Sequence, residues 1–172
     1  MRHASVLTAL GISAQIIADR GLQPYLEAGE LEIAEIGPDG REHRLTPEAT
    51  SQWLKMKTAA QADGIEIFIV SAFRSIERQI QIIQNKMNAG QTLTDILNAS
   101  APPGYSEHHT GRAIDIGTAE SENLSLAFGD SSAFSWLQAH AHEFGFVMSY
   151  PPGNSSGYQY EPWHWCLLTE VT

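Results

Sequence analysis

"SEHHTGRAIDIG", residues 106–117, is the stretch on which the reading of this chain turns. Two adjacent histidines, His108 and His109, lead into Gly111, and Asp115 follows inside a short run of isoleucines. The seven-residue gap from His108 to Asp115 is too irregular for one helix face, where partners recur at three or four residues. It fits a loop that turns at Gly111 into a short strand, so that His108 and Asp115 point at the same spot. Imidazole nitrogen and carboxylate oxygen are both good zinc donors. A catalytic zinc site has three protein ligands and keeps a position open.

A second cluster, "YEPWHW" at 160–165, holds a glutamate three residues before a histidine, between tryptophans and beside a proline. In a plain strand Glu161 and His164 would face opposite sides. Pro162 argues against a plain strand, because it restricts the residue before it and interrupts a ladder. A bend there brings both side chains to one metal, with His164 as third ligand and Glu161 as a carboxylate free for acid–base work. Taken alone, His164 among tryptophans reads as a structural residue in an aromatic plug. Each cluster contains what the other lacks, and that favours the metal reading of both. A third stretch, "VSAFRSIERQ" at 70–79, puts Arg74 where a buried strand ends and a helix begins. A surface arginine paired with Glu77 is the plain reading. Beside a zinc site, a fixed guanidinium stabilises an oxyanion or clamps a carboxylate.

Working outward, residues 4–19 carry apolar side chains at helical spacing, which predicts one amphipathic helix. "GELEIAEIGPDGREHRL" predicts a β-hairpin turning at residues 37–40. "TPEATSQWLKMKTAAQADG" predicts a helix capped by Thr46, with Pro47 in its first turn and Gly64 as its stop. "IEIFIVSAF", from Ile65, predicts a buried strand. The next helix carries Ile76, Ile80, Ile83 and Met87 at helical spacing and closes at Gly90. A short helix follows around 92–99, then a loop with Pro102, Pro103 and Gly104. "RAIDIG" reads as a strand, "SSAFSWLQAHAHEFG" as a helix ended by Gly145, and "FVMSY" and "WHWCLL" as the last strands. The expectation is one α+β domain over 1–172, a mainly antiparallel sheet with helices packed against it.

Composition excludes several roles. The chain has 172 residues and a net charge of −10, which argues against nucleic-acid binding by phosphate neutralisation. One cysteine, Cys166, excludes an intrachain disulfide. No apolar run has the length of a membrane span. The first twenty residues lack the long apolar region and small-residue cleavage site of a secretory signal.

The motifs "SAFRSIERQ", "SEHHTGRAIDIG", "WLQAHAHEFGFVMSYP" and "GYQYEPWHW", in this order, resemble the VanY-like D-alanyl-D-alanine carboxypeptidases. These are zinc peptidases related to the vancomycin-resistance D,D-dipeptidases, with a fold shared with the hedgehog signalling domain. The resemblance covers about 53–166, with nothing matched in residues 1–50. It implies zinc held by His108, Asp115 and His164, Glu161 as general base and Arg74 at the transition state. It also implies that Ser106 and Gln79 help hold the substrate's C-terminal end. His109 stands where relatives often have glutamine and should point away from the metal. Ala72 and Phe73 replace the more usual glycine and tyrosine, and Cys166 a polar residue. The implied activity is metal-assisted removal of D-alanine from peptidoglycan stem peptides, at the cell envelope or periplasm, although a cytoplasmic location stays open without a signal segment. The alternatives are an endopeptidase, an L,D-carboxypeptidase, or a non-catalytic zinc-stabilised binding module. Retention of both Glu161 and Arg74 counts against the last.

Overall fold

The computed structural model describes residues 2–168. The N-terminal stretch forms two short helices, α1 (Arg2–Ala9) and α2 (Ala14–Asp19), rather than the single helix expected. Gly11 takes a left-handed φ of 76°, and the Ser13 side chain accepts from the Ile16 N–H to start a new helix. Local capping chemistry outweighs the continuous apolar period here. Leu10 and Ile12, at the break, are buried against Ile83, Ile96 and Leu97.

The predicted hairpin forms from β1 (Glu32–Ile36) and β2 (Glu42–Leu45), antiparallel, with an irregular register between Ile33 and Glu35. Helix α3 (Pro47–Ala62) follows, with the Thr46 side chain accepting from the Ala49 N–H as the sequence predicts. Its buried face carries Trp53, Met56 and Ala60. A side chain of the size of Met56 contributes about 1.5–3 kcal/mol on full burial. Glu35 joins three elements: it accepts from Trp53 Nε1–H at 3.2 Å, Lys57 Nζ at 2.7 Å and the Ile69 N–H at 3.1 Å.

Strand β3 (Phe68–Ser71) is shorter than expected. The Ile65 N–H still donates to the Ala60 carbonyl at 2.9 Å, so the first residues after Gly64 serve the exit from α3. Then come α4 (Ile76–Asn88), α5 (Leu93–Ala99), β4 (Ala113–Gly117), α6 (Ser132–His140), β5 (Phe146–Met148) and β6 (His164–Leu167). A turn of 3-10 helix, Ala141–Phe144, extends α6 to Gly145.

The main sheet has the order β3-β4-β6-β5, with all neighbours antiparallel. Every residue of β4 is buried. In the β4–β6 pair Asp115 lies opposite His164, and Ile114 lies opposite Trp165. Directly opposed residues share a face of the sheet. One face therefore carries Asp115 and His164. The other carries Ile114 and Trp165 into the main core with Trp53, Phe128, Phe134 and Phe146.

Candidate active site

The stretch before β4 coils into one turn of 3-10 helix, Glu107–Thr110, and reverses at Gly111 with a φ of 65°. A Cβ on Gly111 would stand 2.8 Å from Leu31 Cδ2, so both conformation and space call for glycine. This turn swings His108 over the Asp115 face of the sheet. His108 Nδ1–H donates to the Ala72 carbonyl at 2.8 Å, leaving Nε2 3.3 Å from Asp115 Oδ2. His164 is fixed the other way round: Nε2 meets Glu107 Oε2 at 2.9 Å and Nδ1 meets Asp115 Oδ1 at 2.9 Å. One ligand atom from each of His108, Asp115 and His164 lies within 4.8 Å of the others, and all three residues are buried. Tyr150 stacks on the His164 ring at a centroid distance of 4.7 Å.

The electrostatics of this cluster are one-sided. Burial opposes the charge on Asp115, but the His108 and His164 imidazoles outweigh it and hold the carboxyl far below the usual range. Burial also opposes charge on His164, yet its hydrogen bonds to Asp115 and Glu107 push it up to about 10. Burial lowers His108. Two carboxylates thus converge on His164 and favour positive charge between them, which a metal ion would supply in place of the imidazole proton. That donor set fits zinc. Each imidazole has one nitrogen committed to a partner outside the cluster, and the remaining nitrogens converge with an anionic oxygen.

The expected bend at Pro162 is present. The His164 N–H donates to the Glu161 carbonyl at 3.1 Å, and the Glu161 N–H donates to the Tyr150 carbonyl at 3.1 Å. Both side chains face one cleft of about 320 Å³, whose walls include Arg74, Ser106, Tyr150 and Trp163. Burial pushes the Glu161 carboxyl up to about 7, against the opposing pull of His164. Arg74 does not pair with Glu77. It donates from Nη1 to Gln79 Oε1 and from Nη2 to Ser71 Oγ, each at 3.0 Å, and lies 4.0 Å from Asp115 Oδ2.

Gln79 lies beside Arg74. Its side chain is fully buried, with Oε1 on Arg74 and Nε2 on the Ala101 carbonyl at 2.7 Å. Both ends are engaged in this structure, an arrangement that braces Arg74. Ser106 is buried and lines the cleft.

His109 points away from the metal donors, as expected. Its Nδ1–H donates to the Arg74 carbonyl at 2.6 Å and its Nε2 accepts from the Gly104 N–H at 3.1 Å. Removing it leaves two buried backbone groups unpaired and a cavity. His109→Ala should therefore cost about 2–4 kcal/mol of stability, read as a drop in denaturation midpoint. Zinc content measured on the folded fraction should be unchanged.

Sequence reading missed Glu107, Ser149 and Tyr150. Glu107 accepts from Ser149 Oγ at 2.6 Å as well as from His164. Burial raises its carboxyl and these hydrogen bonds more than offset that, leaving it below its ordinary value. Its position beside His108 in the motif was the one available signal. The unmatched N-terminal segment also touches the site's supports. The Tyr25 N–H donates to the Gly104 carbonyl and the Ala28 N–H to the His109 carbonyl, each at 2.8 Å. The Arg20 guanidinium lies over the Tyr158 ring at 4.3 Å.

Residues 42–170 match the model of the VanY family, described as D-alanyl-D-alanine carboxypeptidase. The putative carboxypeptidase YodJ of Bacillus subtilis (strain 168) is 37% identical over 120 residues, covering 68% of this chain and 44% of that protein. The chain thus spans less than half the length of the first curated relatives it matches. Among solved structures, the LdcB LD-carboxypeptidase is similar at a TM-score of 0.75 and 32% identity, covering 84% of this chain and 71% of that one. A mutant of the vancomycin resistance D,D-pentapeptidase VanY from the VanB-type cassette, in complex with Zn(II), is similar at 0.65 and 27% identity, covering 86% and 81%.

Proposed function

The chain belongs to the VanY family of D-alanyl-D-alanine carboxypeptidases, and on that footing we propose that it is a zinc-dependent D,D-carboxypeptidase of peptidoglycan stem peptides. The observation that carries this reading is the convergence of the His108, Asp115 and His164 donors in one cleft with Glu161 and Arg74. His108 Nε2, the Asp115 carboxylate and His164 Nδ1 would hold the ion. Zinc supplies Lewis acidity and brings the pKa of water in its shell to about 7.

The chain's own groups do the rest. Glu161, partly desolvated and raised toward neutrality, takes the proton of the attacking water and delivers it to the leaving amine. Arg74, braced by Gln79 and Ser71, presents its guanidinium to the developing oxyanion. Trp163 is buried, lines the cleft beside them and presents an apolar wall on that side.

The test is mass analysis of a stem peptide ending in D-Ala-D-Ala after incubation with zinc-loaded protein. Release of D-alanine, with an all-L analogue left intact, is the expected result. Equal cutting of internal cross-linked bonds would hand the assignment to the endopeptidase alternative. A second reading, an L,D-carboxypeptidase, is favoured by the likeness to LdcB. It predicts that a tetrapeptide with one terminal D-alanine is cut and the pentapeptide spared.

A further inference from the structure

The cleft contains a second cation that the hydrolytic machinery does not use. Lys86 lines it together with Arg74, in a chain with only 10 lysines and arginines against 20 acids. Its Nζ donates to Ser100 Oγ at 2.7 Å. Among the described residues no carboxylate forms an ion pair with it. Burial and the nearby Arg74 both disfavour its charge, opposed by Glu161. A half-buried ammonium with a hydroxyl partner alone is a costly arrangement for purely structural purposes. An ammonium has three donors, so two remain after Ser100. Arg74, by contrast, already directs donors to Gln79 and Ser71 and faces Asp115.

The placement is ordered. Gln79, Ile82 and Lys86 recur on one face of α4. Gln79 holds Arg74 at one end, Lys86 stands at the other, and Ile82 lines the cleft between them. The wall thus offers a guanidinium beside the reacting centre, then an apolar patch, then a cation that no carboxylate among the described residues pairs with. A D-Ala-D-Ala end is complementary: the scissile carbonyl belongs to the penultimate residue, and the terminal alanine beyond it carries a methyl group and a carboxylate on its Cα.

We propose that Lys86 is a specificity-determining residue that receives the free C-terminal carboxylate of the substrate and so commits the cleft to chain ends rather than internal bonds. This rests on the carboxypeptidase reading of the site and adds to it the residue that reads the terminus.

The experiment crosses one protein change with one substrate change. Zinc-loaded wild type, Lys86→Met and Lys86→Arg are assayed on diacetyl-L-Lys-D-Ala-D-Ala as the free acid and as its C-terminal amide. Methionine keeps the aliphatic stem and removes the charge. Lys86→Met should raise KM for the acid by about 10–100-fold, the range for a lost hydrogen bond to a charged group. It should leave kcat within a few-fold and not alter the slower reaction of the amide. Lys86→Arg should restore much of the loss. Equal losses on acid and amide, or none on either, would overturn the proposal. Binding of both peptides is measured separately by calorimetry on Glu161→Gln, with and without Lys86→Met. A preference for acid over amide that disappears with Lys86→Met upholds the role of Lys86 even if wild type hydrolyses neither peptide, in which case the carboxypeptidase reading alone falls. No such preference in the Lys86 protein would overturn the role of Lys86 itself.

Discussion

Glu161→Gln should lower turnover of a D-Ala-D-Ala peptide by about 10²–10⁴-fold, the range for positioned acid–base groups, while zinc content and fold are retained. Glutamine is nearly isosteric, and the backbone bonds that shape the turn, Glu161 N–H to Tyr150 and His164 N–H to the residue 161 carbonyl, do not involve the side chain. The pH profile provides an independent reading. Burial raises the carboxyl to about 7, and a cation at the neighbouring site pulls that value down. The wild-type kcat/KM should therefore fall with decreasing pH through a pKa at or below about 7, as the base takes up its proton. The variant should lose that acid limb. Equal rates for wild type and variant, with zinc present in both, would remove Glu161 from the mechanism.

The second large effect is expected at His164. Its ring separates Asp115 from Glu107, with a 2.9 Å contact to each. His164→Ala removes a metal donor and also leaves two buried carboxylates facing an empty space. Losing one partner of a buried charged cluster costs about 3–5 kcal/mol. Zinc content by elemental analysis should drop from about one equivalent to a small fraction, with hydrolysis abolished and thermal stability reduced. Full zinc occupancy in this variant would contradict the assigned ligand set. The contrast with His109→Ala, where stability falls and zinc stays, separates a ligand from its neighbour in the same motif.

Much of this arrangement was legible in the chain because it is local. Thr46 and Gly64 delimit α3 through capping groups that lie next to the helix in sequence. Gly111 announces the reversal that brings His108 back toward Asp115. Pro162 announces the bend that lets Glu161 and His164 face one cleft. What sequence spacing does not carry is the identity of remote partners. Nothing in "SEHH" says that Glu107 meets a histidine 57 positions later. Nothing in "ERQ" says that Gln79 is tied at both ends by Arg74 and Ala101. The break at Gly11 was missed for a different reason: the apolar period runs through it, and the conformation of one glycine decides the matter.

The opposition of Asp115 and His164 across β4 and β6 also sets an order of events in time. The two residues are 49 positions apart, and the intervening chain includes α6 and β5. Closing so long a loop costs entropy before any contact compensates. The full donor set therefore comes into being only when the central strands have joined. An ion that recognises only the joined state would bind after assembly, and its contribution would then fall on the escape rate from the native state, because interactions absent from the transition state slow unfolding without speeding folding. A zinc ion held there, as proposed, would be a lock fitted after the door has closed.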